Sequence, residues 1–360
     1  MRAEIDGPLA ETAAGAIAAE VLRACVHCGM CNATCPTYQL TGDELDGPRG
    51  RIYLIKEALA GAPIGRTTQI HLDRCLSCRA CETTCPSGVE YHRLFDIGRQ
   101  EVAARVRRPV GERLSRWALR AIVPYPKRLR ALAACARVVR PLLPRALAGK
   151  LPRPVAFAEP AETPAPSRRM TMLAGCAQAA LAPHVNAATK RVFARVGIGL
   201  DAAPGAGCCG ALSFHLDAPD EGRGHARRNI DAWTRALDDG AEGVLVNASG
   251  CAAFIRDYPD ILADDETYAA KARRIAGAVR DPVEMLDAAD LRFRERPTAP
   301  RVAVHEPCTL RNGPGLSGRV AALLGALGYE VQPVRDAHLC CGSAGAWSLL
   351  QPKFAGRLRA

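Results

Sequence analysis

The sequence predicts a multidomain α+β protein, with a helical N-terminal part organised around two cysteine quartets and, after it, a duplicated α/β part. Three observations carry this expectation. Four cysteines fall within eleven residues in "CVHCGMCNATCP", Cys25 to Pro36, and "CLSCRACETTCP", Cys75 to Pro86, repeats their spacing. Beyond Met170, short apolar runs alternate with helical patterns, as parallel strands covered by helices do. Within that part Cys176, Cys208, Cys209 and Gly210 recur as Cys308, Cys340, Cys341 and Gly342, each displaced by 132 residues, so the unit is doubled.

The spacing C-x2-C-x2-C-x3-C-P, present twice, is that of ferredoxin-type chains binding two 4Fe-4S clusters, in which the fourth cysteine of each run ligates the other cluster. Cluster one is accordingly assigned to Cys25, Cys28, Cys31 and Cys85, and cluster two to Cys75, Cys78, Cys81 and Cys35. Thiolate quartets also suit zinc, but three thiols at successive two-residue gaps favour a compact cluster over one ion. The stretch between Cys35 and Cys75 contains "GPRGRIYLIKEALAG". There Ile52, Ile55 and Leu59 form one apolar stripe and Gly61 can end the turn, so a helix is expected beside the clusters. This helical ferredoxin domain is expected over residues 1–98.

Residues 99–140 read as a basic helical region. Fifteen Arg or Lys lie between Arg99 and Arg153 against only Glu101 and Glu112, whereas the whole chain carries +11, so the rest is near neutral. Such a block contacts anionic surfaces or an acidic subunit, or forms a solvated face. No zinc finger, basic zipper or aromatic RNA motif accompanies it, so nucleic acid is not expected. Leu114, Trp117, Ala118 and Ala121 share one helical face and Arg113, Arg116 and Arg120 another. The apolar face could meet a membrane, another subunit or the chain's own core. Cys135, in "ALAACARVV", reads as a small core residue. Seven prolines between Pro141 and Pro166 then predict a semi-rigid linker over 141–169.

In the α/β part, "MTMLAGC", "RVGIGLDAAP", "GVLVNASGC", "RVAVHEPC" and "YEVQPV" read as strands, and Val185 to Arg195 and Ser317 to Leu327 as helices. Residues 170–295 form the first cysteine-rich unit and 296–360 the second. Each lone cysteine follows a strand, and in a parallel sheet such positions converge on one edge. Cys251 adds a fourth sulfur to Cys176, Cys208 and Cys209, giving a further iron-sulfur or redox site; adjacent cysteines can also be buried hydrophobes or a redox disulfide. Cys308, Cys340 and Cys341 make an incomplete counterpart, because the equivalent of Cys251 would fall beyond Ala360. That unit is expected to lack a strand, a helix and a thiol. His305 and His338 could tune a cluster, although hydrogen-bonded structural histidines are commoner. "GPGLSG", Gly313 to Gly318, fits a dinucleotide fingerprint only literally, since Pro314 restricts the turn. No apolar run approaches the length of a spanning helix and no leader pattern opens the chain, and sixteen cysteines in an unsecreted chain point to metal rather than disulfides.

"CVHCGMCNATCPTYQLTGDELDGPRGRIYLIKEAL" with "HLDRCLSCRACETTCPSGVEYHRLFDIGR", and later "HEPCTLRN" and "HLCCGSAGAWSLLQP", resemble the iron-sulfur subunit of bacterial glycolate oxidase. The likeness reaches further to iron-sulfur subunits of anaerobic glycerol-3-phosphate dehydrogenase and to heterodisulfide reductase subunits, which share the cysteine-rich (CCG) domain. The resemblance implies that flavin-bearing partner subunits, with FAD, oxidise glycolate to glyoxylate. This chain would relay the electrons to a quinone or other acceptor and carry no catalytic residue. Its alternatives are the corresponding subunit of a glycerol-3-phosphate or lactate dehydrogenase, or a thiol-disulfide reductase using Cys208 and Cys209. A cytoplasmic location follows, with peripheral contact at the cytoplasmic face of the cell membrane. Two departures stand out: the family continues past Ala360, which suggests a truncated product, and Phe254 stands where the heterodisulfide reductase pattern has a cysteine.

Overall fold

The computed structural model describes residues 4–138, 140–142, 166–291 and 301–360. Most of the expected proline-rich linker, residues 143–165, lies outside the described residues. Strands β1 (Arg168–Met172), β2 (Ile198–Asp201), β3 (Val244–Leu245), β4 (Val279–Arg280), β5 (Arg301–Ala303) and β6 (Glu330–Gln332) form two sheets among numerous helices. Two compact units result: Met1–Glu112 with Ala263–Glu266 and Pro297–Ala360, and Arg113–Leu262 with Thr267–Arg296.

In the first unit, helices Ala13–Ala24, Pro48–Leu59, Arg66–Asp73 and Tyr91–Arg105 surround a core of Leu22, Ile55, Leu59, Leu72, Leu94 and Phe95. The helix expected beside the clusters is therefore present. Thr12 caps the first helix by accepting the Gly15 N–H at 3.1 Å, and Pro48 starts the next where its missing N–H is not needed. Gly98 lets the Pro48–Leu59 and Tyr91–Arg105 helices touch, because a Cβ there would lie 2.5 Å from Ile55 Cγ1. Burial of each large aliphatic side chain in this core contributes about 1.5–3 kcal/mol.

Residues of the second cysteine repeat belong to this same unit. Parallel strands β5 and β6, with helix Arg319–Ala326 between them in sequence, form a small βαβ element. The Trp347 indole N–H donates to the Asp73 carbonyl at 3.1 Å, and Arg357 reaches the Leu40 carbonyl at 2.7 Å. Asn312 Nδ2 donates to the Cys78 carbonyl at 2.8 Å. These polar anchors hold the C-terminal segment against the loops that carry the cysteine quartets.

The second unit contains an all-parallel sheet in the order β2-β1-β3-β4. Buried runs such as Met170–Met172 and Val244–Val246 suit strands covered on both faces. Helix Pro219–Asp238 supplies Ala226, Ile230 and Trp233 to a core shared with Phe214, Phe254 and Tyr258. Phe254 is thus a packing residue, edge-on to Phe214 and Tyr258.

The basic region forms helices Val110–Ile122 and Pro126–Val138. On the first helix the two faces are used in the reverse of the simplest packing. Leu114 and Trp117 are exposed, at 61% and 58%, whereas Arg116 is buried and pairs with Asp217 at 3.4 Å; Arg120 pairs with Glu221. Of the three alternatives for that face, the chain's own core is therefore the one that Leu114 and Trp117 do not enter. The reading of Cys135 as a core residue is corrected: it is exposed, on a helix that has no buried residue.

Candidate metal centres

The two quartets share one backbone design. In the first, His27 and Gly29 adopt φ of 59° and 84°; in the second, Ser77 and Arg79, at the equivalent places, adopt 53° and 57°. Left-handed backbone at His27, Ser77 and Arg79 is uncommon for side-chain-bearing residues and is held where a functional loop demands it. In both loops the turned amide, of His27 or Ser77, donates to the first sulfur, Cys25 or Cys75. Thr34 and Thr84 each precede the fourth cysteine of their run; Thr84 Oγ1 donates to Thr34 Oγ1 at 3.1 Å, and Thr34 Oγ1 donates in turn to the Ala80 carbonyl at 3.1 Å. That clasp sets the Cys35 and Cys85 loops side by side, as an exchange of fourth ligands requires.

Electrostatic coupling sorts the thiols into two sets. Cys31 feels Cys25, Cys85 and Cys28, while Cys81 feels Cys75, Cys78 and Cys35. Burial, followed by the neighbouring thiols, pushes Cys31 up to about 11 and Cys81 well above the usual thiol range. Neighbouring thiols that resist ionisation, Cys25 and Cys31 in one set and Cys75, Cys78 and Cys81 in the other, need positive centres among them to become thiolates together, which fits the donor set of an iron-sulfur cluster. The fold thus places Cys25, Cys28, Cys31 and Cys85 near one another, and Cys75, Cys78, Cys81 and Cys35 near one another. Asp43, Asp46 and His71 also approach one another, but Asp46 is committed to ion pairs with Arg74, at 2.8 Å, and Arg51, at 3.8 Å.

In the second unit the sulfurs line the carboxyl edge of the sheet. Cys176 follows β1, Cys208 and Cys209 follow β2, and Cys251 follows β3. Cys176 is hydrogen-bonded to Cys208, and the Cys209 and Cys251 sulfurs are 3.4 Å apart. All four therefore gather at one place. Gly210, at φ 97°, leaves no room for a Cβ, which would lie 2.6 Å from the Gly222 carbonyl oxygen. Its N–H points at Cys208 Sγ, 3.5 Å away, and Gly342 N–H points at Cys340 Sγ at 3.4 Å. The repeats thus share this turn.

Cys308, Cys340 and Cys341 lie within electrostatic range of one another; Cys308 also couples to Cys78, and Cys340 to Cys35. The second triad therefore neighbours the Cys35–Cys75–Cys78–Cys81 set. His305 and His338 are exposed. In "GPGLSG" the Gly318 N–H is taken by the Glu306 carboxylate at 2.9 and 3.0 Å, so the donor that a phosphate would use faces an anion instead.

Comparison with known proteins agrees with this geometry. Residues 21–89 match the family described as a 4Fe-4S dicluster domain, and residues 170–256 and 302–359 match the cysteine-rich domain. The glycolate oxidase iron-sulfur subunit of Escherichia coli (strain K12) is 49% identical over 359 residues, covering 100% of this chain and 88% of that protein. This chain belongs to the glycolate oxidase iron-sulfur subunit family. A second member, the probable glycolate oxidase iron-sulfur subunit of Bacillus subtilis (strain 168), is 30% identical over 93% of this chain and 81% of its own length. Lactate utilization protein A of Geobacillus kaustophilus is 27% identical over only 46% of this chain and 68% of its own length. No solved structure matches. As a member of this family the chain combines a two-cluster 4Fe-4S domain with a duplicated cysteine-rich domain.

Several residues that shape these centres carry no motif. Asn229, in mid-helix and buried, donates to the Cys208 carbonyl at 2.9 Å and accepts the Gly207 N–H at 2.8 Å. Tyr258 donates to the Cys209 carbonyl at 2.7 Å. Tyr91 reaches Cys75 Sγ at 3.8 Å and Arg51 approaches Cys35 Sγ at 3.9 Å. One signal was available in sequence, a polar Asn229 on the apolar side of a helix between Ala226 and Trp233.

Proposed function

We propose that the chain is the electron-transfer subunit of a flavin-dependent glycolate dehydrogenase complex, the substrate being oxidised on partner flavoprotein subunits. Similarity to the Escherichia coli subunit over the whole of this chain and 88% of that protein, joined to eight thiols arranged as two sets, carries this reading. Cys25, Cys28, Cys31 and Cys85 would hold one cluster, and Cys75, Cys78, Cys81 and Cys35 the other. Bound there, 4Fe-4S clusters accept and release single electrons, the step needed between a two-electron flavin and a quinone or other acceptor. The chain's own part is to fix the sulfurs, through the turned amides and the Thr34–Thr84 clasp, and to keep water from the buried ones. Cys176, Cys208, Cys209 and Cys251 offer a further site, and the Cys308 triad an incomplete one.

Direct thiol-disulfide chemistry at Cys208 is disfavoured. Its hydrogen bond with Cys176 lowers the pKa, but the bond with Cys209 and burial outweigh it, leaving the thiol at about 12. Such a group is scarcely ionised near neutral pH and is a poor attacking thiol.

Peripheral contact with an anionic membrane belongs to the same reading. Val110, Leu114 and Trp117 are exposed on one helix, with exposed Arg113, Lys127 and Arg128 nearby in sequence; such a face suits the headgroup boundary. No helix among the described residues is long and apolar enough to cross a membrane. Sedimentation with anionic vesicles tests this, and equal pelleting of a Leu114→Ser/Trp117→Ser variant would contradict it.

The main test is low-temperature EPR of the subunit purified with its flavoprotein partners. Glycolate should produce reduced-cluster signals faster than lactate or glycerol 3-phosphate. A loaded complex whose clusters stay oxidised with glycolate contradicts the proposal.

A further inference from the structure

The electron-transfer reading leaves the buried charge of Arg51, beside the Cys35 and Cys75 thiols, without a role. Arg51 lies on the inner side of the Pro48–Leu59 helix and is 1% exposed. Nε donates to the His71 carbonyl at 2.8 Å and Nη2 to Thr37 Oγ1 at 3.0 Å, which leaves Nη1 directed at Cys35 Sγ at 3.9 Å. Thr37 Oγ1 is itself 3.3 Å from the same sulfur. The guanidinium also interacts with Cys75 and Tyr91, so two thiols of one quartet face a fixed cation.

Neutralisation of that cation is incomplete. Asp46 is the carboxylate facing it among the described residues, at 3.8 Å, but Asp46 also binds Arg74 Nη1 and His71 Nδ1, each at 2.8 Å. One carboxylate is therefore shared between two guanidinium groups and an imidazole. Beside the other quartet the arrangement is opposite. Arg49, which interacts with Cys31, is one-third exposed and forms a two-pronged pair with Glu44, Nη2 to Oε1 at 2.7 Å and Nε to Oε2 at 3.1 Å. Its charge is cancelled and screened by solvent, whereas that of Arg51 acts through a low-dielectric interior.

We propose that Arg51 raises the reduction potential of the cluster held by Cys35, Cys75, Cys78 and Cys81, making that cluster the electron-holding member of the pair. Each reduction adds one negative charge, and a buried cation and N–H···S contact stabilise the reduced form more than the oxidised one. With both clusters bound, an electron passing from the first to the second would oxidise one and reduce the other, with no bond change and no proton, and Arg51 would favour its residence on the second, near Cys308 and Cys340, whose thiols couple to Cys78 and Cys35. Arg51 acts through the sulfurs and is a positioning and tuning residue. This inference rests on the proposed ligand sets.

The test is an EPR-monitored redox titration of the full chain with both clusters loaded. Arg51→Gln should lower one midpoint so that the reduced fraction of that cluster falls at least tenfold at a fixed potential, equivalent to about 59 mV for one electron. The other midpoint should move by less than a third as much, and Arg51→Lys should recover most of the shift. If Arg51→Gln does not assemble, Asp46→Asn carries the test: with less counter-charge, the same midpoint should rise. Unmoved midpoints in Arg51→Gln, or a fall in Asp46→Asn, overturn the role of Arg51. Cys35→Ser separates the two failures, because it should abolish the signal that Arg51→Gln shifts. If it abolishes the other signal, the ligand sets are wrong.

Discussion

The clamp on the vicinal cysteines gives a prediction whose size follows from the coordinates. Asn229 is fully buried and serves two backbone groups of the Gly207–Cys208 loop. Asn229→Ala strands a buried N–H and a buried carbonyl at once, each costing about 1–3 kcal/mol, so the loss should be about 2–6 kcal/mol. Tyr258→Phe keeps the ring against Phe254 and strands the Cys209 carbonyl, while also removing a hydroxyl partner of Asn229, at about 1–3 kcal/mol. Urea unfolding measures both. Of the three tryptophans, Trp233 lies in the core of the second unit, so a Trp117→Phe/Trp347→Phe background makes it the reporter. The midpoint should fall in the order Asn229→Ala, Tyr258→Phe, parent, with little change in slope. An Asn229→Ala protein within about 0.5 kcal/mol of the parent, the range of ordinary surface substitutions, would refute the clamp.

Other outcomes follow from the same geometry. Gly98→Ala should destabilise the first unit by about 1–3 kcal/mol through overpacking against Ile55, and Ile55→Ala should be less harmful in that background than alone; additive losses in a double-mutant cycle would argue against the contact. Cys25→Ser should lose one cluster's iron and loosen the N-terminal helices while hydrogen exchange in β1 to β4 stays at the parent level; unchanged iron content contradicts the ligand set. Asn312→Ala should weaken protection of the Cys78 loop by about 0.5–1.5 kcal/mol, and equal exchange rates would show the bond to be dispensable. In metal-free folded protein, iodoacetamide should label Cys208 slowly at pH 8 and about tenfold faster per pH unit toward its pKa of about 12; a rate that levels near pH 9 would remove the argument against thiol-disulfide chemistry.

Much of this was legible in sequence because it is encoded locally. Two-residue gaps between cysteines dictate a wrapping loop, and the 132-residue displacement exposes the doubled cysteine-rich unit without any tertiary knowledge. Strands such as β1 and β2 announce themselves as short apolar runs beside glycine. What remained hidden depends on partners distant in the chain. Arg116 and Arg120 look like a solvated basic face until Asp217 and Glu221, about a hundred residues on, arrive to pair with them. Once those pairs form, the stripe of Leu114 and Trp117 must point outward. Cys135 looks like core because alanines flank it, yet it lies exposed on a helix with no buried residue among those described. Strand β4, two residues long, offers too little pattern to read. Arg51 hides inside an amphipathic helix, since only the fold reveals that its guanidinium turns toward Cys35 and Cys75.

The most direct measurement is the metal and sulfide content of the chain prepared without oxygen, together with its EPR spectrum after reduction. Two 4Fe-4S clusters require at least about eight iron and eight acid-labile sulfide per chain, with interacting signals from two reduced centres. Stoichiometric zinc without sulfide, and a colourless reduced protein that is silent in EPR, would contradict the account at its root.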